Sequence, residues 1–302
     1  MTTSSLALAR GRTTWWTRAA DYVELTKPKI GVLVLVTVGV SMFVASWGQP
    51  DPWLMLHTLL GVALVAASGS AINQWLERTT DARMPRTANR PLPAGRLSGT
   101  QVLTFAALTI VLGVTQLAVA VNLASAGFAV LSWVIYAWVY TPLKRISSLN
   151  TAVGAVSGAL PILIGWSAAG GELGLRAASL FTVLFLWQFP HFMAIAWMYR
   201  EQYGRAGLQM LTVVDSTGRR AGVQAVSSAL ALLPVSFIPG LFAPPPAGSL
   251  FAAFAFLLGV GQLICAVLFF ALRSDAAARL LLRASLIYLP AFLLLLMFLP
   301  LL

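Results

Sequence analysis

Hydrophobic positions follow one another in long runs along this chain, and short polar segments separate the runs. Nine of the runs approach the length of about 20 residues that a helix needs to cross a bilayer. They lie at roughly 30–47, 53–76, 101–121, 124–141, 149–169, 177–198, 222–242, 249–272 and 279–301. The segments between them are too short for a separate soluble domain. The pattern therefore predicts an all-α integral membrane protein, with a cytoplasmic N-terminal tail over 1–29 and a single nine-helix domain over 30–302.

The composition agrees with this class of protein. Hydrophobic residues make up 59% of the 302 residues and charged residues 10%, and the mean hydropathy is +0.83. The net charge of +11 does not require a nucleic-acid partner, because basic residues between membrane helices set the orientation of the chain. The charge also favours contact with anionic lipid and with a polyanionic substrate.

The basic residues are distributed one-sidedly between the predicted spans. If the N-terminus is cytoplasmic, all of the 20 basic residues except Arg176 fall on the cytoplasmic side. This positive-inside bias predicts a cytoplasmic N-terminus and an odd number of helices. Most acidic residues fall on the same side. We therefore expect a multi-pass protein of the bacterial inner membrane with its site facing the cytoplasm, or of the mitochondrial inner membrane with its site facing the matrix.

A row of polar side chains ends the second hydrophobic run. Asn73, Glu77 and Asp81 are spaced by four residues, so in a helix they share one face and drift by only about 40° per step. Pro85 disfavours helix at the residue before it, which predicts that the arginines beyond it lie on a loop. Carboxylates beside arginines suit Mg²⁺ and a diphosphate. The alternative is a set of ordinary ion pairs on a solvated helix end.

A second polar segment lies in the sixth hydrophobic run. Between Trp187 and Phe192 a Gln, a Pro and His191 fall at hydrocarbon depth, and Glu201 follows the cytoplasmic end of the run. Polar groups inside a membrane are costly and indicate function by default. The sequence leaves three roles open for His191: a haem contact, a proton carrier, or a hydrogen-bonding group that packs helices.

A short loop between the fourth and fifth runs carries a basic pair. The segment begins at Tyr140, contains Lys144 and Arg145, and ends at Asn150. The pair is either a topological anchor or a phosphate-binding element. The second interpretation requires the loop to meet the other two polar segments in space.

Taken together, these segments resemble the UbiA superfamily of intramembrane prenyltransferases over most of the chain. The superfamily motif Asn-x-x-x-Asp-x-x-x-Asp matches Asn73, Glu77 and Asp81, with Glu in place of the first Asp. The branch that farnesylates haem is further suggested by motif segments that begin at Met84, Tyr140, Gly158 and Trp187. The superfamily is known for nine transmembrane helices, which agrees with the number of hydrophobic runs.

The resemblance implies a reaction and a set of residue roles. The reaction is transfer of a farnesyl group from farnesyl diphosphate to a vinyl group of haem B, which gives haem O, with Mg²⁺ as the cofactor. The implied catalytic residues are Asn73, Glu77, Asp81 and Lys144, and the implied metal ligands are Asn73, Glu77, Asp81 and Glu201. The implied diphosphate-binding residues are Arg86, Arg90, Lys144, Arg145, Arg200 and Tyr140, and the implied haem-binding residues are His191, Asn150 and Trp187. Haem A synthase or terminal-oxidase assembly factors are the implied protein partners.

The chain departs from the family pattern at two positions, and two rival functions stay open. Glu201 is followed by Gln202 where relatives usually have an acidic pair, and Gln209 stands where they usually have Pro. The loss of one acid bears on the number of metal ions. The nearer rival is a related enzyme that prenylates an aromatic acceptor such as 4-hydroxybenzoate, and the more distant one is a transporter of an anionic metabolite.

Overall fold

The computed structural model describes residues 15–301, and their regular structure is entirely helical. Residues 1–14 of the predicted tail, with Arg10 and Arg12, lie outside the described residues. The longer helices are α1 (Trp15–Leu25), α2 (Pro28–Ala45), α3 (Pro52–Asp81), α4 (Gly99–Ala120), α5 (Leu123–Leu143), α6 (Asn150–Ala168) and α7 (Leu175–Met198). After two short helices, α8 (Arg200–Arg205) and α9 (Leu211–Val214), the chain continues with α10 (Arg219–Phe237), α11 (Ala247–Leu272) and α12 (Asp275–Phe298).

The nine predicted spans are confirmed as nine helices of membrane-spanning length and apolar composition among residues 15–301. The second hydrophobic run was expected to end at 76, whereas α3 continues to Asp81. A helix can continue through polar residues when other parts of the protein bury and pair them. A hydrophobicity profile does not detect such a continuation. The last span was expected from 279, but the helix begins at Asp275 because the Ser274 hydroxyl caps it.

Helices α6 and α7 are the most buried of the nine spans. Helix α6 packs against α2, α5 and α7, while α7 also packs against α10 and α12. At Gly165 an added Cβ would lie 2.4 Å from the Val38 carbonyl oxygen, so α2 and α6 approach closely only because the residue is glycine. Ser41 on α2 donates to the Ile162 carbonyl at 2.6 Å in the same contact. The centre of the bundle is therefore tightly packed around α6.

Part of the predicted tail forms helix α1, which the hydrophobic pattern did not predict. Arg96 donates to Asp21 and, at 2.7 Å, to Glu24. Gln74 of α3 donates to the Leu25 carbonyl at 2.8 Å, and Leu25 is fully buried. These contacts fasten α1 to the end of the bundle at which α3 terminates, so α2 begins beside the acidic row.

Helix α5 contains a π-helical segment, Ile135–Tyr140. The wider turn brings the Tyr136 and Tyr140 rings into a stack with a 5.8 Å separation between centroids. Short π-helical stretches inside α-helices are frequent at functional sites. This segment places both rings next to the end of α3.

Candidate active site

The predicted polar row lies on the last three turns of α3. Asn73, Glu77 and Asp81 are all buried, with 1%, 9% and 1% of their surface exposed. The Thr87 hydroxyl donates to the Asp81 carbonyl at 2.9 Å and holds the following loop back against the helix end. The row is thus an enclosed site, and the interpretation as a solvated helix end is wrong.

Each carboxylate of the row pairs with a cation from a different segment. Lys144, from the loop after α5, lies 2.8 Å from Glu77, and Arg90, from the loop after α3, lies 2.7 Å from Asp81. Burial alone would lower the pKa of Lys144, but the Glu77 carboxylate outweighs burial and raises this pKa, so Lys144 is a permanent cation. The two loops therefore meet at the acidic row, as a phosphate-binding role for Lys144 requires.

A third cation in the cluster is Lys27, which the sequence analysis did not identify. Its ammonium donates to the Asn73 amide oxygen and lies 3.3 Å from the Tyr136 hydroxyl. Asn73 in turn donates to the Thr141 hydroxyl at 2.9 Å. Burial, followed by the charge of Arg90, lowers the pKa of Lys27 to about 7. The signal in the sequence was Thr-Lys-Pro at the start of the first span, a turn that carries a basic side chain.

Two tyrosine rings form one wall of the cluster. The Lys144 ammonium lies 4.4 Å from the centroid of the Tyr140 ring. An added Cβ at Gly154 would be only 2.7 Å from that ring, so α6 leaves room for Tyr140 at this position. Tyr140 therefore lies beside the row, next to Lys144.

The structure does not bring four of the predicted residues into contact with the acidic row. Arg145 donates to the Thr79 hydroxyl at 3.2 Å, and Arg200 donates to Asp275 at 2.9 Å. Arg86 stacks on the Tyr199 ring at 4.7 Å and lies 3.5 Å from the Tyr203 hydroxyl. The Glu201 side chain is 75% exposed, and its neighbour is Arg205 at 3.8 Å. These four side chains contact residues other than the acidic row, and spacing in the sequence does not predict those contacts.

The predicted haem residues fall into two separate places. On α7 the Trp187 and His191 rings stack with centroids 4.9 Å apart. Both contact Ser285 of α12, since Trp187 donates to its carbonyl at 2.8 Å and His191 Nδ1 lies 2.9 Å from its hydroxyl. Asn150 instead donates to the Ser147 and Gln209 carbonyls at 2.7 and 3.1 Å. Asn150 therefore ties the loop after α5 to the segment between α8 and α9.

The oxygen atoms of the row suit a hard divalent cation. Mg²⁺ characteristically takes one or two carboxylates and completes its octahedron with water and substrate phosphate. Two carboxylates and one amide oxygen meet this description at Asn73, Glu77 and Asp81. Within residues 15–301 no group of three acidic, His or Cys side chains forms a complete metal cage. Any ion held here would therefore depend on a further oxygen ligand such as a diphosphate.

An all-helical bundle of nine spans with a buried acidic row and converging basic loops is the architecture of an intramembrane prenyltransferase. The chain belongs to the UbiA prenyltransferase family, whose sequence model matches residues 32–299. It is 43% identical over 282 residues to the protoheme IX farnesyltransferase of Solibacter usitatus, covering 89% of this chain and 95% of that protein. It is 42% identical over 280 residues to the protoheme IX farnesyltransferase of Rhodopirellula baltica, covering 90% and 97%.

Solved structures share the fold at low sequence identity. A structure described as digeranylgeranylglyceryl phosphate synthase superposes with a TM-score of 0.76 at 17% identity, covering 94% of this chain and 98% of that one. A UbiA homologue from Archaeoglobus fulgidus bound to DMAPP and Mg²⁺ superposes with a TM-score of 0.68 at 18% identity, covering 91% and 97%. The nine-helix arrangement is therefore the fold of this family, and the protein is a multi-pass membrane protein.

Proposed function

We propose that this protein transfers the farnesyl group of farnesyl diphosphate to a vinyl group of haem B and so produces haem O. The observation that carries the proposal is the buried cluster in which Glu77 meets Lys144 and Asp81 meets Arg90. The choice of haem as acceptor is supported by relatives named protoheme IX farnesyltransferase that match nearly the whole chain at 43% and 42% identity.

The residues of the cluster would bind and orient the diphosphate. Lys144 and Arg90 lie at the row and would bind phosphate oxygens, so negative charge that develops on the leaving diphosphate is stabilised. Asn73, Glu77 and Asp81 would hold Mg²⁺, which when bound supplies further positive charge to the same group. Glu201 would join this set only after a rearrangement of α8, because its carboxylate is exposed.

The proposed reaction is a prenyl transfer followed by the addition of water. The allylic C–O bond breaks with its electron pair leaving on the diphosphate, and the vinyl π electrons form the new C–C bond. Water then adds to the remaining cationic carbon and loses a proton, which leaves a hydroxyl group. The stacked rings of Tyr136 and Tyr140 lie beside the cluster and would stabilise the allylic cation through their π faces.

The haem pocket is assigned to the α7 side of the bundle. His191 and Trp187 form a stacked pair there, and the second ring nitrogen of His191, Nε2, makes no hydrogen bond to any side chain or backbone group in residues 15–301. This nitrogen would face haem. Arg86, Arg145 and Arg200, which were expected to bind the diphosphate, would instead attract anionic substrates at the cytoplasmic face. Asn150, which was expected to bind haem, would instead join the two loops.

Orientation and partners are part of the same proposal. The N-terminus and the cluster lie on the cytoplasmic side of a bacterial inner membrane, since all basic residues except Arg176 fall on that side. Residues 30–302 form one transmembrane domain. Haem A synthase or terminal-oxidase assembly factors would receive the product.

The test is a product assay on the purified protein in detergent. Haem B, farnesyl diphosphate and Mg²⁺ are supplied with and without a chelator, and the pigments are analysed by mass spectrometry. We expect a pigment with the added hydroxyethylfarnesyl mass in the reaction without chelator, and no such pigment when the chelator is present. Prenylation of 4-hydroxybenzoate instead of haem, by a preparation shown to be folded, would contradict the haem acceptor. Passage of unaltered substrate into liposomes would favour the transporter.

A further inference from the structure

The turn between α1 and α2 places a lysine in a backbone conformation that lysine seldom adopts. Lys27 has φ of 52° and ψ of 63°, in the left-handed region. For a residue with a Cβ this conformation costs about 1–2 kcal/mol. Pro28 is the first residue of α2 and has no N–H with which to continue α1. A glycine would make the same turn without strain, so the turn itself does not account for a lysine at this position.

The turn carries the Lys27 side chain into the acidic row. Its ammonium is hydrogen-bonded to the Asn73 amide oxygen and lies 3.3 Å from the Tyr136 hydroxyl. The two contacts come from α3 and from the π-helical segment of α5. Helix α1 is itself held in place by Arg96 and by Gln74. The contacts that hold α1, together with those of the ammonium group, therefore fix the position of the Lys27 side chain.

Lys27 differs from its two cationic neighbours in its partners. Lys144 pairs with Glu77, and Arg90 pairs with Asp81. Lys27 forms no ion pair with any acidic side chain in residues 15–301, and only neutral groups accept its hydrogen bonds. With Lys27 protonated, the cluster carries three cations against two carboxylates. A cation that is partly shielded from water is unfavourable without a counter-ion, so the position of Lys27 favours an anionic ligand.

We propose that Lys27 binds the diphosphate of the prenyl substrate directly, exchanging the Asn73 amide oxygen for a phosphate oxygen. The assignment of that diphosphate to farnesyl diphosphate rests on the function proposed above. The exchange supplies the counter-charge that the cluster lacks. It also frees the Asn73 oxygen, which is one of the three oxygen donors assigned to Mg²⁺. Lys27 thereby couples the arrival of the diphosphate to completion of the metal site.

Direct binding measurements test this assignment. Inorganic pyrophosphate and farnesyl thiolodiphosphate, an unreactive analogue, are titrated into the full-length protein with Mg²⁺ in a calorimeter. Lys27→Met removes the charge and keeps the length of the side chain. We expect this variant to lower the affinity for both ligands by about tenfold to a hundredfold, as for a lost hydrogen bond to a charged group. Lys27→Arg should retain most of the affinity.

Lys29→Met is the matched control. Lys29 is exposed two residues further along, outside the cluster, so this variant loses the same charge and should bind both ligands like the unaltered protein. Lys27→Gly checks folding, because it removes the side chain and relieves the left-handed strain. It should melt at a temperature no lower than the unaltered protein and still bind pyrophosphate weakly.

The outcomes separate this inference from the proposed function. Unchanged pyrophosphate affinity in Lys27→Met and Lys27→Gly would overturn the inference. Unchanged pyrophosphate affinity with weakened haem affinity would overturn it in favour of a contact with a haem carboxylate. If the unaltered protein fails to prenylate haem but loses pyrophosphate affinity on Lys27→Met, the proposed function fails and the role of Lys27 stands.

Discussion

At the scale of single residues, each carboxylate of the site is already paired with a cation before substrate arrives. Glu77 and Lys144 have side-chain exposures of 11% and 13%, so water screens their interaction only weakly. Breaking a buried pair by removing one partner is more harmful than removing both, because the remaining charge stays buried and uncompensated. This asymmetry distinguishes a role in stability from a role in catalysis at the same residue.

Lys144→Met should lower the free energy of unfolding by about 3 kcal/mol and reduce turnover. Adding Glu77→Gln should recover most of the stability, because no buried charge is then left alone, but it should not recover turnover. Chemical denaturation in detergent and the haem assay measure the two effects. Recovery of turnover by the double variant would mean that the pair serves stability alone.

Asp81→Asn should reduce turnover by at least about 100-fold. The reason is that Asp81 would help to hold the Mg²⁺ that stabilises the negative charge developing on the diphosphate. The protein should still fold, because the amide keeps the size of the carboxylate. Asp51→Asn is the control, since Asp51 caps the opposite end of the same helix by accepting from Trp53 N–H at 2.8 Å, and Asn is an equally good cap. Retained turnover in Asp81→Asn would contradict the metal assignment.

At the scale of helices, one contact between α7 and α12 bears on which ring nitrogen of His191 carries the proton. The Ser285 hydroxyl donates its only proton to the Leu282 carbonyl at 2.7 Å. With this bond in place the Ser285 oxygen accepts from His191 Nδ1, 2.9 Å away, which is the tautomer that keeps a lone pair on Nε2. Packing of α12 against α7 thus presents a basic nitrogen to the proposed haem pocket.

Ser285→Ala should alter how haem is bound while the bundle stays folded. If Nε2 contacts the iron, His191→Ala should change the visible spectrum of bound haem B, and Ser285→Ala should change it in the same direction by less. Ser179→Ala is the control, because that serine makes only a similar backbone bond, to the Arg176 carbonyl at 2.8 Å. Identical spectra for all four proteins would remove His191 from the haem site.

At the scale of the whole molecule, the charge distribution and the position of the cluster make one joint prediction. The acidic row lies at the end of α3, and the loops that contribute Lys144 and Arg90 are on the side that holds nearly all basic residues. The orientation of the bundle in the membrane therefore decides which compartment supplies the diphosphate. The proposed orientation makes that compartment the cytoplasm.

Cysteine labelling in intact cells tests the orientation. In a Cys265→Ser background, which removes the only cysteine, a membrane-impermeant maleimide should label Gln49→Cys and leave Arg83→Cys unlabelled. Both positions are exposed in loops, at opposite ends of α3. Permeabilised cells should show labelling of both. The opposite pattern in intact cells would place the active site outside the cytoplasm.

The sequence by itself determined the nine spans and the acidic row. Membrane spans are local, since about 20 apolar residues in succession are sufficient, and residues spaced by four share a helix face whatever surrounds them. The same locality explains why Asn73, Glu77 and Asp81 could be placed on one helix. It also explains why α1 was missed, because its short helix depends on Arg96, far along the chain.

Only the tertiary structure decided which cations complete the site. Lys27 and Lys144 reach the row from turns that are distant in sequence, and no spacing rule relates those turns to α3. Arg145 and Glu201 had equally suitable chemistry in the sequence, but they end against Thr79 and in solvent. The physical reason is that a long charged side chain takes the partner that helix packing brings within its reach, and packing is a property of the whole bundle.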